Sequence, residues 1–246
     1  MLRRLRWPSV AQHGVPNLGE AGRVQVARPK NQDQRRSEIL SAAKAVIHTR
    51  GVTGVNLKRI ADQAGLSSAL ILYYYADVDE ILAAAYRTAT EEFLEKREFL
   101  LTEAISPTEQ LQRCLALGTP YPGAREEAAR VLYELQPLIL NNADAATWSR
   151  EFFSRQTALF RSIIDAGVRT GEFRATLDPN TVAINLVALE DGLATHALTG
   201  LMTPNSIEAT LVQTAMHMVG GSAARGSDGA SIGTSTATGT GPGTVG

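Results

Sequence analysis

Three closely spaced helix signals in residues 55–82 constrain this chain more than any other part of it. The stretch reads VNLKRIADQAGLSSALILYYYADVDEIL, with glycine between two short helical patterns. Asn56 and Ser67 stand where helix N-caps are expected, and Gly65 can adopt the left-handed backbone of a tight turn. Two short helices joined by a tight turn are the layout of a helix-turn-helix, whose second helix can lie in a DNA major groove.

Helical spacing of apolar residues continues from residue 34 to residue 219, and no stretch alternates as a strand would. Asp77 and Glu80 have the spacing of a capping box. Prolines at 179 and 204 each follow a capping residue, as at a helix start. We therefore predict an all-α fold with helices over about 35–50, 57–64, 67–75, 77–103, 107–117, 124–141, 143–170, 179–200 and 204–219.

The two ends of the chain have compositions that disfavour folding. Residues 1–33 are rich in Arg, Gly, Pro, Gln and Asn and show no periodicity, so we predict a disordered basic arm. In residues 220–246, Gly, Ser, Thr and Ala fill 22 of 27 positions, which predicts a disordered tail.

Charge is unevenly distributed along the chain, although the net charge is only −1. Residues 1–60 carry 12 Lys and Arg against 3 Asp and Glu, and the remainder carries 12 against 22. A basic end on an acidic body indicates a localised anionic partner such as nucleic acid, although basic arms are often idle.

No apolar run is long enough to span a membrane, and Cys114 is the single cysteine, so we expect a cytoplasmic protein.

No pattern in the chain indicates catalysis. The four histidines lack metal-ligand spacing, Cys114 has no neighbouring base, and we find no nucleophile elbow or P-loop. Glycines 241, 243 and 246 match the dinucleotide fingerprint only formally, because no strand precedes them and no helix follows. We expect no catalytic residue, metal or cofactor, and two functions remain: a DNA-binding regulator, or a helical dimeric interaction module with weak or lost DNA binding.

The start of the third helix carries the small and polar side chains that base reading requires, and its tyrosines could reach phosphates. Basic residues at the start of the first two helices could add salt-dependent affinity. Asn56 could instead serve only as a cap, Arg59 could be a solvated surface residue, and Tyr75 is predicted to be core. The predicted DNA-binding residues are Arg35, Asn56, Lys58, Ser67, Ser68, Ala69, Leu70, Tyr73 and Tyr74.

Residues 34–93 resemble the N-terminal DNA-binding domain of the TetR family of bacterial transcriptional regulators. The segments that carry the resemblance are Ile60-Ala61, Ala64-Gly65-Leu66-Ser67, Tyr73-Tyr74-Tyr75 and Asp77-x-x-Glu80-Ile81-Leu82. The resemblance implies a homodimer with two DNA-binding heads on a larger helical ligand-binding body. It places the motif at residues 56–75, the DNA-binding domain at 34–93 and the ligand-binding and dimerisation domain at 94–219.

Two positions depart from the family pattern. Leu72 stands where the family often has tyrosine, and Val78 stands where it often has lysine at the start of the fourth helix. Both family residues usually support phosphate contacts. We therefore expect Tyr73, Tyr74 and the basic arm to provide more of the phosphate contacts here.

The second part of the chain suggests dimerisation and ligand sensing. The segments 179–200 and 204–219 are apolar on more than one side, which fits a four-helix homodimer interface, although both could be core helices. Aromatic and acidic side chains on the later helices could bind an unknown small-molecule effector that releases a repressor from double-stranded operator DNA. They could equally belong to the core, the dimer interface or the solvated surface. The candidate ligand-binding residues are Trp148, Phe152, Glu190, Asp191 and His196.

Overall fold

A computed structural model describes residues 30–140, 143–174 and 177–220, and over these residues the only regular structure is helical. The predicted all-α fold is confirmed. The elements in chain order are α1 (Lys30–Arg50), a 3₁₀ turn (Val52–Gly54), α2 (Leu57–Ala64), α3 (Ser68–Tyr74), α4 (Val78–Leu100), α5 (Pro107–Gly118), α6 (Ala124–Leu140), α7 (Ala143–Thr170), α8 (Pro179–Leu198) and α9 (Pro204–Met218).

Local capping explains why the helix boundaries follow the sequence signals so closely. The side chain of Asn56 accepts from the Arg59 amide at 2.9 Å, and Ser67 Oγ accepts from the Leu70 amide at 3.1 Å. Gly65, between them, has a φ of 66°, which is the left-handed conformation that favours glycine. Each cap satisfies an amide that would otherwise lack a partner, so the turn and both helix starts are fixed locally.

The capping box at the start of α4 differs in one bond from its expected form. Asp77 Oδ1 accepts from the Glu80 amide at 2.8 Å, as predicted. The Glu80 carboxylate, however, accepts from the Ala76 amide at 2.6 Å. Glu80 therefore bonds to the residue that precedes the cap, and two amides at the turn into α4 still find acceptors.

The first helix begins at Lys30, earlier than the predicted start near residue 35. The early start lies within the segment predicted to be a disordered arm. Lysine and glutamine favour helix formation, and Asp33 in the first turn interacts well with the positive helix end. Residues 1–29 of the predicted arm and 221–246 of the predicted tail lie outside the described residues.

Three apolar clusters divide the molecule. The head cluster is formed by α1, α2, α3 and the start of α4, and it includes Ile39, Ile60, Ile71 and Tyr75. The body cluster is built from α5, α7, α8 and α9 around residues such as Phe160. Between them, a junction cluster joins the end of α1, the start of α4 and the middle of α6; it comprises Ile47, Leu82, Ala83, Tyr86, Ala89, Val131 and Leu135.

Helix α4 runs through the domain boundary that the sequence predicts at residues 93 and 94. Ile81 belongs to the head cluster and Leu82 to the junction cluster. Farther along the same helix, Arg97 is 1% exposed inside the body. Lys44 of α1 and Arg155 of α7 bind the α4 carboxylates of Glu92 and Glu91 at 2.9 Å and 2.8 Å. One continuous helix is thus held from both sides and joins the head to the body.

Candidate functional site

Helix α3 presents the predicted base-reading residues on its outer side. Ser67, Ala69 and Leu70 are exposed, and Ser68 is half-buried. The Ser67 oxygen already caps the helix, but its hydroxyl hydrogen remains able to donate to a phosphate or a base. Small side chains beside Leu70 leave room for the helix to approach the base edges of a major groove.

The three tyrosines of α3 and its C-cap have separate environments. Tyr75 is 4% exposed in the head cluster, in agreement with the core position predicted for it, and the Arg36 guanidinium lies 5.0 Å from the centre of its ring. Tyr73 is 72% exposed, and it meets half-buried Tyr74 edge to face at 5.1 Å. Tyr73 is therefore free to contact DNA, while Tyr74 is steadied by its neighbour.

Two of the basic residues considered for DNA contact already have protein partners. Arg35 Nη1 lies 2.6 Å from the Glu38 carboxylate, so part of its charge is neutralised. Arg59 Nη1 donates to the Gly54 carbonyl at 2.5 Å, which ties the start of α2 to the preceding turn. Lys58 and Asn56 are exposed, although Asn56 also serves as a cap.

The two departures from the family pattern differ in exposure. Leu72 is 47% exposed on α3. Val78 is half-buried and packs against both the head and the junction clusters. An apolar side chain at 78 therefore contributes to packing, whereas Leu72 leaves an apolar side chain on the predicted DNA face.

A cavity of about 380 Å³ lies in the body between α4, α5, α6, α7 and α8. This volume is at the lower end of the range that small-molecule sites occupy. Aromatic side chains form much of its wall: Tyr86, Phe93, Tyr133, Phe152 and Phe153. The charged residues that line it are Glu92, Lys96, Arg125, Arg150, Glu190 and Asp191.

A buried ion pair lies at this cavity. The Arg97 guanidinium binds the Glu190 carboxylate, both residues are almost fully buried, and Glu190 lines the cavity wall. The guanidinium also lies 4.1 Å from the centre of the Phe93 ring. Two buried atoms of the pair, Arg97 Nε and Glu190 Oε2, have no hydrogen-bond partner within the protein. Because such atoms are costly to bury, they mark a place where a bound molecule could supply a donor or an acceptor.

Tyr133 and Asp191 form a second polar contact on the cavity wall. The Tyr133 hydroxyl donates to Asp191 Oδ1 at 3.1 Å, joining α6 to α8. Burial raises the pKa of the Tyr133 hydroxyl, and the nearby Asp191 carboxylate adds to this effect. Burial likewise raises the pKa of Tyr86 to about 12. Both phenols therefore remain protonated near neutral pH and can act as donors in the cavity.

The structure brings together three of the five candidate ligand residues. Phe152, Glu190 and Asp191 line the cavity. Trp148 and His196 do not lie on the cavity wall. Trp148 sits one turn before Phe152, where it packs against the junction cluster with the Arg87 guanidinium 4.3 Å from its ring centre.

His196 lies away from the cavity for a geometric reason. Six positions separate it from Glu190, and at about 100° per residue the two side chains point roughly 120° apart around α8. Its side chain is exposed. Sequence reasoning missed the cavity residues of α4 and α6, such as Phe93 and Tyr133, and the buried Arg97 that pairs with Glu190 behind the wall. An arginine on an otherwise apolar helix face was the available signal for Arg97.

The outer side of α8 is exposed in the single chain. Its buried side includes Val182, Leu186 and Val187, while Ile184 is 39% exposed and Ala188 and Gly192 are exposed. Helix α9 packs on the body through Ile207, Leu211, Ala215 and Met216. Both predicted interface helices thus also serve the core, and α8 keeps a second face of small and apolar side chains.

Within the described ranges, no group of three or more His, Cys, Asp or Glu side chains is arranged to hold a metal ion. None of the helices in those ranges is both long and apolar enough to cross a membrane. Cys114 is fully buried, and burial raises the pKa of its thiol to about 12, so this thiol does not supply a reactive thiolate.

Two family models match most of the folded chain. The model described as bacterial regulatory proteins, tetR family, matches residues 39–85. The model described as BetI-type transcriptional repressor, C-terminal, matches residues 107–220. Their order and spacing agree with a DNA-binding head followed by a helical body, and they favour the regulator over the interaction module.

Individual relatives agree with the two models. The chain is 28% identical over 171 residues to the HTH-type transcriptional regulator PksA of Bacillus subtilis, covering 68% of this chain and 80% of PksA. A regulator from Saccharomonospora viridis, solved in complex with choline, superimposes with a TM-score of 0.70 at 26% identity, covering 75% of this chain and 97% of that one.

A TetR-family regulator from Rhodococcus superimposes with a TM-score of 0.67 over 76% of this chain and 98% of its own length, and its 23% identity supports the fold alone. The helix-turn-helix with its exposed α3, the helical body behind it and these matches lead to one conclusion. The chain belongs to the TetR family of bacterial transcriptional regulators.

Proposed function

We propose that this protein is a cytoplasmic homodimeric repressor that binds operator DNA through two α3 helices and leaves it when a small molecule enters the body cavity. The observation that carries the proposal is the course of α4. This helix contributes Ile81 to the head cluster, Tyr86 and Phe93 to the cavity wall, and Arg97 to the ion pair beside the cavity. A change in the cavity can therefore act on the head through a single rigid element.

The chemistry of the cavity supports a compact organic cation as the effector. Asp191 is a carboxylate on the wall, and Glu190 offers a second oxygen that lacks a partner. Aromatic faces such as those of Phe93 and Phe152 attract cations as well as apolar groups. The related regulator from Saccharomonospora viridis binds choline, which has this chemistry.

Homodimerisation through α8 and α9 is the second part of the proposal. The exposed side of α8 carries Ile184 among small residues, and a two-fold pairing would cover it. Two heads must reach successive major grooves, which lie roughly 34–36 Å apart on one face of DNA. Dimerisation therefore sets the half-site spacing that the protein can bind.

Operator binding is tested by fluorescence anisotropy with the DNA that flanks the protein's own gene, at two salt concentrations and against a scrambled duplex. We expect binding that prefers the flanking DNA. Lys58→Ala should reduce the slope of the logarithm of the binding constant against the logarithm of the salt concentration by about one. A change of this size is expected when one phosphate contact, and the counterion it releases, is lost. Equal affinity for the scrambled duplex would refute sequence-specific regulation.

The effector class is tested by adding choline, its neutral carbon isostere or a carboxylate of similar size to the preformed complex. Release by choline and not by its isostere would support the cation. Asp191→Asn should weaken the choline effect by roughly tenfold, about the value of one charge-assisted contact. Release by the carboxylate instead would assign the cavity to anions, which Lys96, Arg125 and Arg150 would then bind.

The dimer is tested by size-exclusion chromatography with light scattering. Ile184→Glu should convert the dimer to a monomer, because it places a charge in an apolar interface. Val168→Glu is the matched control, since Val168 is 45% exposed on α7, comparable with Ile184. A wild-type monomer at micromolar concentration would contradict this part of the proposal.

A further inference from the structure

A carboxylate of the body caps a turn of the head. Glu134 on α6 accepts a hydrogen bond through Oε2 from the Val52 amide at 3.0 Å. Val52 opens the 3₁₀ turn between α1 and α2, and the residue before it, Gly51, supplies no side-chain cap. The partner that satisfies this amide therefore comes from a residue 82 positions away in the chain.

Gly51 has the backbone conformation and the lack of a side chain that let the Glu134 carboxylate come close to the turn. Its φ is 65°, in the left-handed region that favours glycine. A Cβ atom at this position would lie 3.3 Å from Glu134 Oε2, closer than most such contacts. The head thus leaves room for the carboxylate of the body at the point where the turn begins.

The capped turn also holds the start of α2. The carbonyl of Gly54, the last residue of the turn, accepts from Arg59 Nη1 at 2.5 Å. Arg59 lies beside exposed Lys58 and follows the cap residue Asn56. A displacement of the turn would therefore move the part of α2 that faces the DNA backbone.

Helix α6 meets the cavity on its other side. Tyr133, adjacent to Glu134, lines the cavity and donates to Asp191 on α8. Val131 and Leu135 are buried in the junction cluster with residues of α1 and α4. Because a packed helix moves as a unit, a ligand that displaces the Tyr133 hydroxyl would also shift the Glu134 carboxylate relative to Val52.

We propose that Glu134 is a positioning residue that transmits the state of the cavity to the DNA-binding head by way of the Val52 amide. The proposal rests on the proposed function, since it assumes that the head binds an operator. The intact contact holds the turn and α2 in the orientation that binds DNA, and its loss lowers operator affinity. This route through α6 and the α1–α2 turn is distinct from the course of α4.

The test measures operator affinity of the full-length protein by fluorescence anisotropy. Glu134→Ala should raise the dissociation constant roughly threefold to tenfold, as for the loss of one ordinary hydrogen bond. Glu134→Gln keeps an acceptor oxygen for the Val52 amide, so its dissociation constant should stay within about twofold of the wild-type value. Glu127→Ala, at an exposed position on the same helix, is the control and should change nothing. Unchanged or tighter binding by Glu134→Ala would overturn the proposal.

A double-mutant cycle separates transmission from simple destabilisation. Asp191→Asn lies on α8, weakens the acceptor of Tyr133 and should lower operator affinity in the intact protein. In the Glu134→Ala background the same substitution should have little further effect, because the route is already broken. Equal effects in both backgrounds, or no effect in either, would overturn the proposal. If the wild-type protein binds no operator at all, the proposed function is refuted instead. This outcome is distinguishable, because the wild-type protein is measured before any variant.

Discussion

The head and the body differ in the charge that they bury and in the apolar surface of one short helix. In the described residues, the buried charged side chains are Arg97 and Glu190, which both lie in the body, so the head core holds none. The head instead exposes Leu70, Leu72 and Tyr73 on one seven-residue helix. Both arrangements are unfavourable for an isolated chain, since one hydrates apolar surface and the other desolvates charge. Each is understandable under the proposed function, in which DNA binds at α3 and a ligand binds beside Arg97 and Glu190.

The largest expected effect comes from breaking the buried pair of the body. Glu190→Ala leaves the Arg97 guanidinium buried without a counter-charge, and the free energy of unfolding should fall by about 3–5 kcal/mol. Thermal denaturation followed by circular dichroism measures the loss. Asp191→Asn, one residue along on an exposed position, is the control and should cost far less. A small loss for Glu190→Ala would show that the guanidinium finds water, and the contrast between head and body would weaken.

A second test adds volume beside the same pair. A Cβ atom on Gly118 would collide with the Glu190 carboxylate and the Arg97 guanidinium. Gly118→Ala should therefore lower stability by about 1–3 kcal/mol, as overpacking usually does.

The same substitution made in a Glu190→Ala background should be less costly, since the carboxylate is gone and the Arg97 guanidinium can move into the space that it leaves. Thermal denaturation of the two single variants and the double variant gives the comparison. Additive losses would mean that Gly118 acts independently of the pair.

In the head, a smaller change should affect function and not stability. Tyr73 is 72% exposed, so Tyr73→Phe removes a hydroxyl that contributes nothing to packing. Operator affinity should fall by roughly two- to tenfold, equally for all sequences, if the hydroxyl binds phosphate. Anisotropy titrations with two operator variants measure this. Tyr121→Phe, in the body, should leave affinity unchanged, and a loss confined to one operator sequence would indicate base reading instead.

The smallest expected effect is an increase in affinity for DNA. Leu72→Tyr restores the tyrosine that the family often has, on a side chain that is already 47% exposed. Affinity for DNA should rise by up to about threefold through one solvent-exposed phosphate contact. Phe99→Tyr adds a hydroxyl at another exposed position, at the end of α4, and serves as the control. If Leu72→Tyr weakens binding, Leu72 makes an apolar contact with DNA and the head uses its exposed surface directly.

Sequence reasoning succeeded where signals are local and failed where they depend on the neighbouring helix. The helix-turn-helix, the caps at Asn56, Ser67 and Asp77, and the buried Tyr75 were all predicted correctly. Of the five candidate ligand residues, Phe152, Glu190 and Asp191 lie on the cavity wall, and their role in ligand binding stays a prediction. Helical periodicity shows which residues share a face, but it does not show which face lines a cavity.

The sequence by itself determined the helical elements and the family, because capping residues, prolines and left-handed glycines act on their immediate neighbours. Only the tertiary structure decided the contacts on which the proposals depend. Arg97 meets Glu190 across 93 positions, Glu134 meets Val52 across 82, and Tyr133 meets Asp191 across 58. Such pairs depend on how the helices cross and pack, and that geometry is set by the whole core and not by any local pattern of residues.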